Sequence, residues 1–290
     1  MKKALFPILS LLLLSPCVVA QKLFPYPEIP DSIDNLYDRS NYFVTHFWDK
    51  CDIKTALKSP ERLDSAFRDY VTLMPHATAD TVFAAVDRLY DDIVKNPDAV
   101  VTFGRMAEGA LYDNTAEYWS DELYLKFIEP VIANKRVKAA DKLRFERQAR
   151  ILSKSQEGMT APALPYVTRE GARHDLKDQA AEFVIIFFND PDCDECAMIK
   201  LRLDADVKAT ALQEAGRLKI VSISPLEAED EWRSKVSGYP SAWEVGATPE
   251  ADNVYDLRQT PSIYLLDRNH RILAKNLSLD VLLHTLGAIK

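Results

Sequence analysis

The sequence predicts an all-helical N-terminal half followed by an α/β C-terminal half. Three observations carry this expectation. Between about 31 and 155, apolar residues recur at helical spacing behind repeated helix-start signals, with no convincing strand. After the stretch from Gln156 to Pro162 the pattern changes to short continuous apolar runs. The run from Phe183 to Phe188 suits a strand buried on both faces. Helical stretches alternate with these runs, the order of a layered α/β domain. The segments expected are a leader at 1–20, a helical domain at 31–157 and an α/β domain at 160–290.

Lys2 and Lys3, the apolar stretch Leu5 to Leu14 and the sequence Val18-Val19-Ala20 have the layout of a secretory signal cleaved after Ala20. The apolar run is too short and proline-interrupted for a membrane span, so none is expected in the mature chain. Cys17 offers a lipoprotein anchor instead, although Pro16 directly before it is awkward for processing. Pro25, Pro27 and Pro30 make residues 21–30 an extended arm.

A helix over Ser40 to Lys50 carries Tyr42, Phe43 and Phe47 on one side. Ser59-Pro60 reads as a cap with proline at the first helical position, ahead of Leu63, Phe67, Tyr70 and Val71. Thr78 or Asp80 starts the next helix, and Asn96-Pro97 repeats the cap signal before Val100 to Tyr112. Asp121 to Ala133 and Ala139 to Lys154 complete about six helices with one-sided apolar faces. In the second half, strands are expected at Leu164 to Thr168, Glu182 to Phe188, Leu218 to Ser224, Ser262 to Leu266 and Ile272 to Lys275. Helices are expected at 196–214, Asp230 to Val236 and Leu279 to Ile289.

The formal charge is −8, and more negative still once Lys2 and Lys3 leave with the signal. Such a chain is a poor ligand for nucleic acid or anionic membranes. Only 8 glycines are present, which makes dinucleotide loops improbable. Three cysteines follow Ala20, too few for a disulfide-stapled scaffold. Two of them, Cys193 and Cys196, sit on a strand-to-helix turn, the layout of a thioredoxin-like redox site. A helix N-terminus favours a thiolate at the first cysteine. The alternatives are an inert local disulfide or half a zinc site. Zinc is the weakest, since no second cysteine pair and no nearby histidine exist.

From these residues onward the chain resembles a known family. Residues 160–290 are similar to TlpA-like thiol–disulfide oxidoreductases of the thioredoxin superfamily. The likeness rests on Ala161-Pro162 ahead of a hairpin, on Cys193 and Cys196, on Thr260 to Asp267 and on the following turn Asp267 to Ile272. Residues 35–155, with Tyr42-Phe43 and His46 to Asp49, resemble an uncharacterised domain that precedes such modules in bacterial envelope proteins. The resemblance implies that Cys193 attacks as a thiolate and Cys196 resolves the mixed disulfide, with no cofactor beyond that redox-active pair. It also implies a cis bond at Thr260-Pro261 beside the pair, turning the Thr260 backbone toward an incoming peptide. Envelope proteins with thiols or disulfides would be the substrates and an upstream thiol protein the electron donor, in the periplasm.

The chain departs from thioredoxin in three places. Asp194-Glu195 stands between the cysteines, Asp192 precedes them, and Phe187 occupies the place of thioredoxin's buried acid. Asp190, Asp192 or Glu195 are candidate substitutes for that acid. Asp190, Asp192, Asp194 and Glu195 also oppose a thiolate at Cys193 by like-charge repulsion. They tune the couple towards reduction, nearer thioredoxin (roughly −270 mV) than DsbA (about −120 mV). A plain alternative is that acids at a helix start stabilise the helix. Peroxiredoxin-like chemistry lacks its motif, because Asn189 and Asp190 stand in the approach to Cys193.

Cys51 reads as a small buried hydrophobe, or else as a partner for a mixed disulfide. His46 and Trp48 read as core rather than ligand pocket. Trp232, Tyr239, Trp243 and Tyr255 either line a groove beside Cys193 or cover the sheet. Two functions follow: an exported thiol–disulfide oxidoreductase, or a redox-silent scaffold whose helical domain recognises a partner. An accessible Cys193 and a cis Pro261 favour the first; a buried sulfur or a trans proline favours the second.

Overall fold

The computed structural model describes residues 22–290, so the signal sequence and Cys17 lie outside the described residues. The chain forms two compact units, one ending at Leu89 and one running from Tyr90 to Lys290.

The first unit holds α1 (Leu36–His46), α2 (Ile53–Ala56), α3 (Pro60–Leu73) and most of α4 (Ala79–Ile93). Helix α1 starts earlier than Ser40 because the Asn35 side chain accepts the Asp38 N–H at 2.8 Å. Pro60 does open α3, but Ser59 makes no side-chain cap bond. Leu63, Phe67, Tyr70 and Phe47 are fully buried. The Phe47 ring lies 4.9 Å from both Trp48 and Tyr70, so the half-buried Trp48 packs against the core. His46 faces Asp49, with Nδ1 at 2.7 Å from the carboxylate. The proline arm is irregular and anchored by buried Phe24, 5.5 Å from Phe47. Cys51 is a free thiol, half-buried, and burial followed by the Asp52 charge pushes it up to about 12.

The second unit begins with α5 (Pro97–Ala107), which runs into a π-turn at Glu108–Tyr112, and continues with α6 (Asp121–Ala133) and α7 (Ala139–Leu152). Helices α5 and α6 approach closely at Gly104, where a Cβ would meet Val131 Cγ2 at 2.8 Å. Next come β1 (Pro165–Thr168), β2 (Arg173–Asp175) and β3 (Phe183–Phe188). They are followed by α8 (Asp194–Asp204), α9 (Val207–Glu214), β4 (Leu218–Ser224), α10 (Asp230–Val236) and β5 (Glu244–Ala247). Then α11 (Ala251–Val254), β6 (Ser262–Asp267), β7 (Ile272–Ala274) and α12 (Leu279–Ala288) close the chain.

The seven strands form one sheet in the order β2-β1-β5-β4-β3-β6-β7. Strand β3 lies inside it, parallel to β4 and antiparallel to β6. Its side chains alternate between two apolar layers. Ile185 and Phe187 join Cys196, Leu203, Trp232, Trp243 and Leu282 on one face. Val184, Ile186 and Phe188 join Tyr166, Tyr255, Tyr264 and Leu266 on the other.

Two expectations need correction. The helix expected over 196–214 is two helices, because Asp206 adopts an extended backbone and caps α9 by accepting the Ala209 N–H at 2.8 Å. Strand β5 was not expected: Glu-Val-Gly-Ala has no strand signature, and pairing with β4 and β1 imposes the conformation. Gly246 belongs there because a Cβ would sit 2.3 Å from Tyr166 Cδ2.

Candidate active site

The site is built where β3 runs out. Asn189 follows Phe188 and is wholly buried. Its Nδ2 donates to the Phe187 carbonyl at 3.0 Å and to Ser222 Oγ at 2.7 Å. Its Oδ1 accepts the Tyr239 hydroxyl at 2.9 Å. One side chain thus ties β3, β4 and the segment after α10 together under the turn that follows.

That turn is closed by Asp190. Its carboxylate accepts the Asp192 N–H at 2.9 Å, and its carbonyl accepts the Cys193 N–H at 3.1 Å. Cys193 is the N-cap of α8, and its Sγ accepts the Cys196 N–H at 3.1 Å. The two cysteines are joined in a disulfide with their Cα atoms 5.2 Å apart, an ordinary spacing for one. Cys193 is half-buried, whereas Cys196 is buried within the apolar layer.

The four carboxylates surround this turn unequally. Asp192, Asp194 and Glu195 are exposed and Asp190 is half-buried. Asp192 is paired with Lys235 Nζ at 2.7 Å, and Lys235 also meets Glu231 at 2.8 Å. These two partners hold the lysine above its ordinary value. A cleft of about 430 Å³ is lined by Asp190, Asp192, Glu227, Glu229, Glu231 and Trp232. Burial, then Asp190 and Asp192, push the Tyr239 hydroxyl up to about 12, so it stays a donor to Asn189. Phe187 lies in the same apolar layer as Cys196, 6.3 Å from the Trp243 ring and perpendicular to it. Position 187 thus offers the pair an apolar ring and no proton acceptor.

The Thr260–Pro261 bond is cis. Ser262, the next residue, pairs with Phe188 in the sheet, which brings Pro261 to the strand end that carries the cysteine turn. Pro261 is buried and Thr260 exposed. Pro261 and Glu195 border one cleft of about 340 Å³, together with Met198, Ile199, Asn276 and Leu277. Met198 is exposed and adds apolar surface beside the acidic turn.

Trp232, Tyr239 and Trp243 are buried on the cysteine face of the sheet and Tyr255 on the opposite face, so these aromatics cover the sheet, and Trp232 also borders the acidic cleft. The Asn189–Ser222–Tyr239 hub and the Lys235 pairing were not anticipated. The one available signal was a polar asparagine directly after an unbroken apolar strand. Among the described residues, no group of three or more His, Cys, Asp or Glu side chains is arranged to hold a metal ion. No helix among them is long and apolar enough to cross a membrane.

A model of the domain of unknown function DUF5106 matches residues 13–155, ending where the helical pattern stops. Among solved structures, a thioredoxin-like protein from Bacteroides caccae is 24% identical, covering 93% of this chain and 100% of that one with a TM-score of 0.78. A conserved protein of unknown function from Bacteroides fragilis is 32% identical over 46% of this chain and 99% of that one, with a TM-score of 0.44. The thioredoxin domain of a thiol-disulfide oxidoreductase from Bacteroides vulgatus is 24% identical over 46% of this chain and 96% of its own, with a TM-score of 0.41. No curated protein matches in sequence. The likeness over 93% of the chain shows a thioredoxin-like fold, and the DUF5106 model matches the N-terminal segment ahead of the sheet.

Proposed function

We propose that the chain is an exported thiol–disulfide oxidoreductase acting on envelope proteins through Cys193 and Cys196, in the reducing direction. The observation that carries this is Cys193 itself. It is a half-buried cysteine, bonded to a buried one, at the start of a helix whose first turn, through Glu195, borders the Pro261 cleft. A redox-silent scaffold has no use for that accessibility.

In the reduced protein the Cys193 thiolate attacks one sulfur of a substrate disulfide, and the other substrate sulfur leaves as a thiolate. The Cys196 thiolate then attacks Cys193 Sγ. The second substrate thiol is released and the Cys193–Cys196 disulfide closes. The substrate has gained two electrons and two protons, which a dithiol donor protein replaces. The helix N-terminus favours the Cys193 thiolate, and the exposed Asp194 and Glu195 oppose it. A destabilised thiolate favours the disulfide form, which makes the couple reducing. Thr260 and Pro261 hold the substrate backbone against the pair.

The test is trapping in the intact envelope. Cys196→Ser should accumulate mixed disulfides through Cys193, and Cys193→Ser should accumulate none. Identical partner patterns from the two variants would remove the enzymatic reading.

A further inference from the structure

The segment leading into Pro261 is held by a buried charge cluster that reaches back to α6. The Arg258 side chain is only 4% exposed. Its Nε donates to both oxygens of fully buried Asp256, at 2.9 and 3.0 Å. Its Nη2 bridges Asp256 and Asp121, and its Nη1 donates to the Tyr112 carbonyl at 3.2 Å. The guanidinium carbon lies 4.0 Å from the Tyr112 ring centre and 5.1 Å from that of Trp119. Lys275 ion-pairs with Asp121 and, at 3.5 Å, with Asp256. Two carboxylates thus face two cations, a balance that removing any one member breaks.

The cluster adjoins both strand-side walls of the cleft that Glu195, the residue before Cys196, borders. Arg258 is followed by Gln259, Thr260 and Pro261, and Lys275 by Asn276 and Leu277; all of these but Thr260 line that cleft. Asn276 extends the link, accepting the Ser262 hydroxyl at 2.9 Å. Asp121, in the first turn of α6, is the member that comes from the helical segment. We propose that Asp121 is a positioning residue for substrate docking, fixing through Arg258 and Lys275 the two loops that wall the cleft bordered by Glu195 of the cysteine turn. This assigns the helical segment around α6 a part in substrate choice, and it rests on the exchange chemistry proposed above.

The test uses the reduced full-length chain and two activated disulfides with the same leaving group. One is dipyridyl disulfide and the other a nine-residue peptide carrying a single cysteine as its thiopyridyl disulfide. Both release thiopyridone when Cys193 attacks, but only the peptide needs the cleft. For Asp121→Asn the peptide rate constant should fall about tenfold through a raised KM, while the small reagent changes by less than about twofold. Asp121→Glu, which keeps the charge, should restore most of the peptide rate. Trp119→Ala, a milder change beneath the same guanidinium, should lower the peptide-to-reagent ratio about threefold and decides the matter if Asp121→Asn does not fold. An unchanged ratio in these variants overturns the proposal. If instead the wild-type chain reacts with neither reagent faster than an unstructured dithiol peptide does, the exchange reading itself falls.

Discussion

Tyr239→Phe removes one hydroxyl and leaves the ring, including its contact with Lys200 Nζ, which sits 4.1 Å from the ring centre. What is lost is the donor to Asn189 Oδ1, a 2.9 Å bond in which both side chains are buried. Both Asn189 donors are already committed, to Phe187 and Ser222, so its amide cannot rotate to compensate without breaking them. Oδ1 is left buried and unsatisfied, which costs about 1–3 kcal/mol. Hydrogen exchange of the β3 and β4 amides reads this directly. Their protection should fall roughly five- to 150-fold, the same energy expressed as an equilibrium constant. A double-mutant cycle with Asn189→Ala should return a coupling of about 1 kcal/mol, because the two groups share one bond. The pH dependence has a definite sign. The hydroxyl is pushed up to about 12, so its stabilisation is full below the ordinary tyrosine range and disappears as pH climbs towards 12. A loss of protection under about twofold in Tyr239→Phe would refute the hub, since no buried acceptor would then have been orphaned.

Other outcomes are equally definite. Asp194 and Glu195 make no ion pair among the described residues, so the double variant Asp194→Asn, Glu195→Gln removes uncompensated charge beside Cys193. Titration of thiolate absorbance in the reduced protein should place the Cys193 pKa lower by a few tenths to about one unit, with the potential moving towards oxidising. A pKa that stays put or rises leaves only the helix-stabilising role for those acids. Cys51 should remain unalkylated by iodoacetamide at neutral pH while reduced Cys193 reacts, because burial and Asp52 push its thiol up to about 12. Cys51→Ala should leave disulfide exchange unchanged; slower exchange would show that Cys51 takes part.

Local rules decided much of this fold. Asn96-Pro97 and Pro60 announced their helices, and the two-sided apolar run at Phe183 announced the inner strand, because each signal is written in neighbouring residues. The failures share a cause. Strand β5 exists because two neighbours pair with it, and its glycine is required by a ring on β1. Nothing local in Glu-Val-Gly-Ala reports that. The break before α9 was nearer to legible, since Asp206 is a good cap, but a continuous helical pattern on either side hid it. The cysteine pair was readable because its spacing is local. The polar hub joins positions 189, 222 and 239, and the charge cluster joins 121, 256, 258 and 275. Neither constellation has a sequence signature, as each is assembled only by the folded sheet.

The hub and Phe187 together bear on how the proposed exchange would be paced. Cys196 is buried in the apolar layer that also holds Phe187, Trp243 and Tyr239. The Tyr239 hydroxyl is committed to Asn189 and pushed up to about 12, so it does not accept the Cys196 proton at neutral pH. In the proposed exchange the Cys196 proton would leave towards the Cys193 side, where half-buried Asp190 and the exposed acids lie. Attack by Cys193 would then be separated from deprotonation of Cys196, and the mixed disulfide would outlive one resolved by an adjacent buried base. A long-lived mixed disulfide gives docking time to discriminate between substrates. On the proposed exchange chemistry, the apolar ring at 187 and the charge cluster behind Pro261 would act in the same direction, towards selective rather than general exchange.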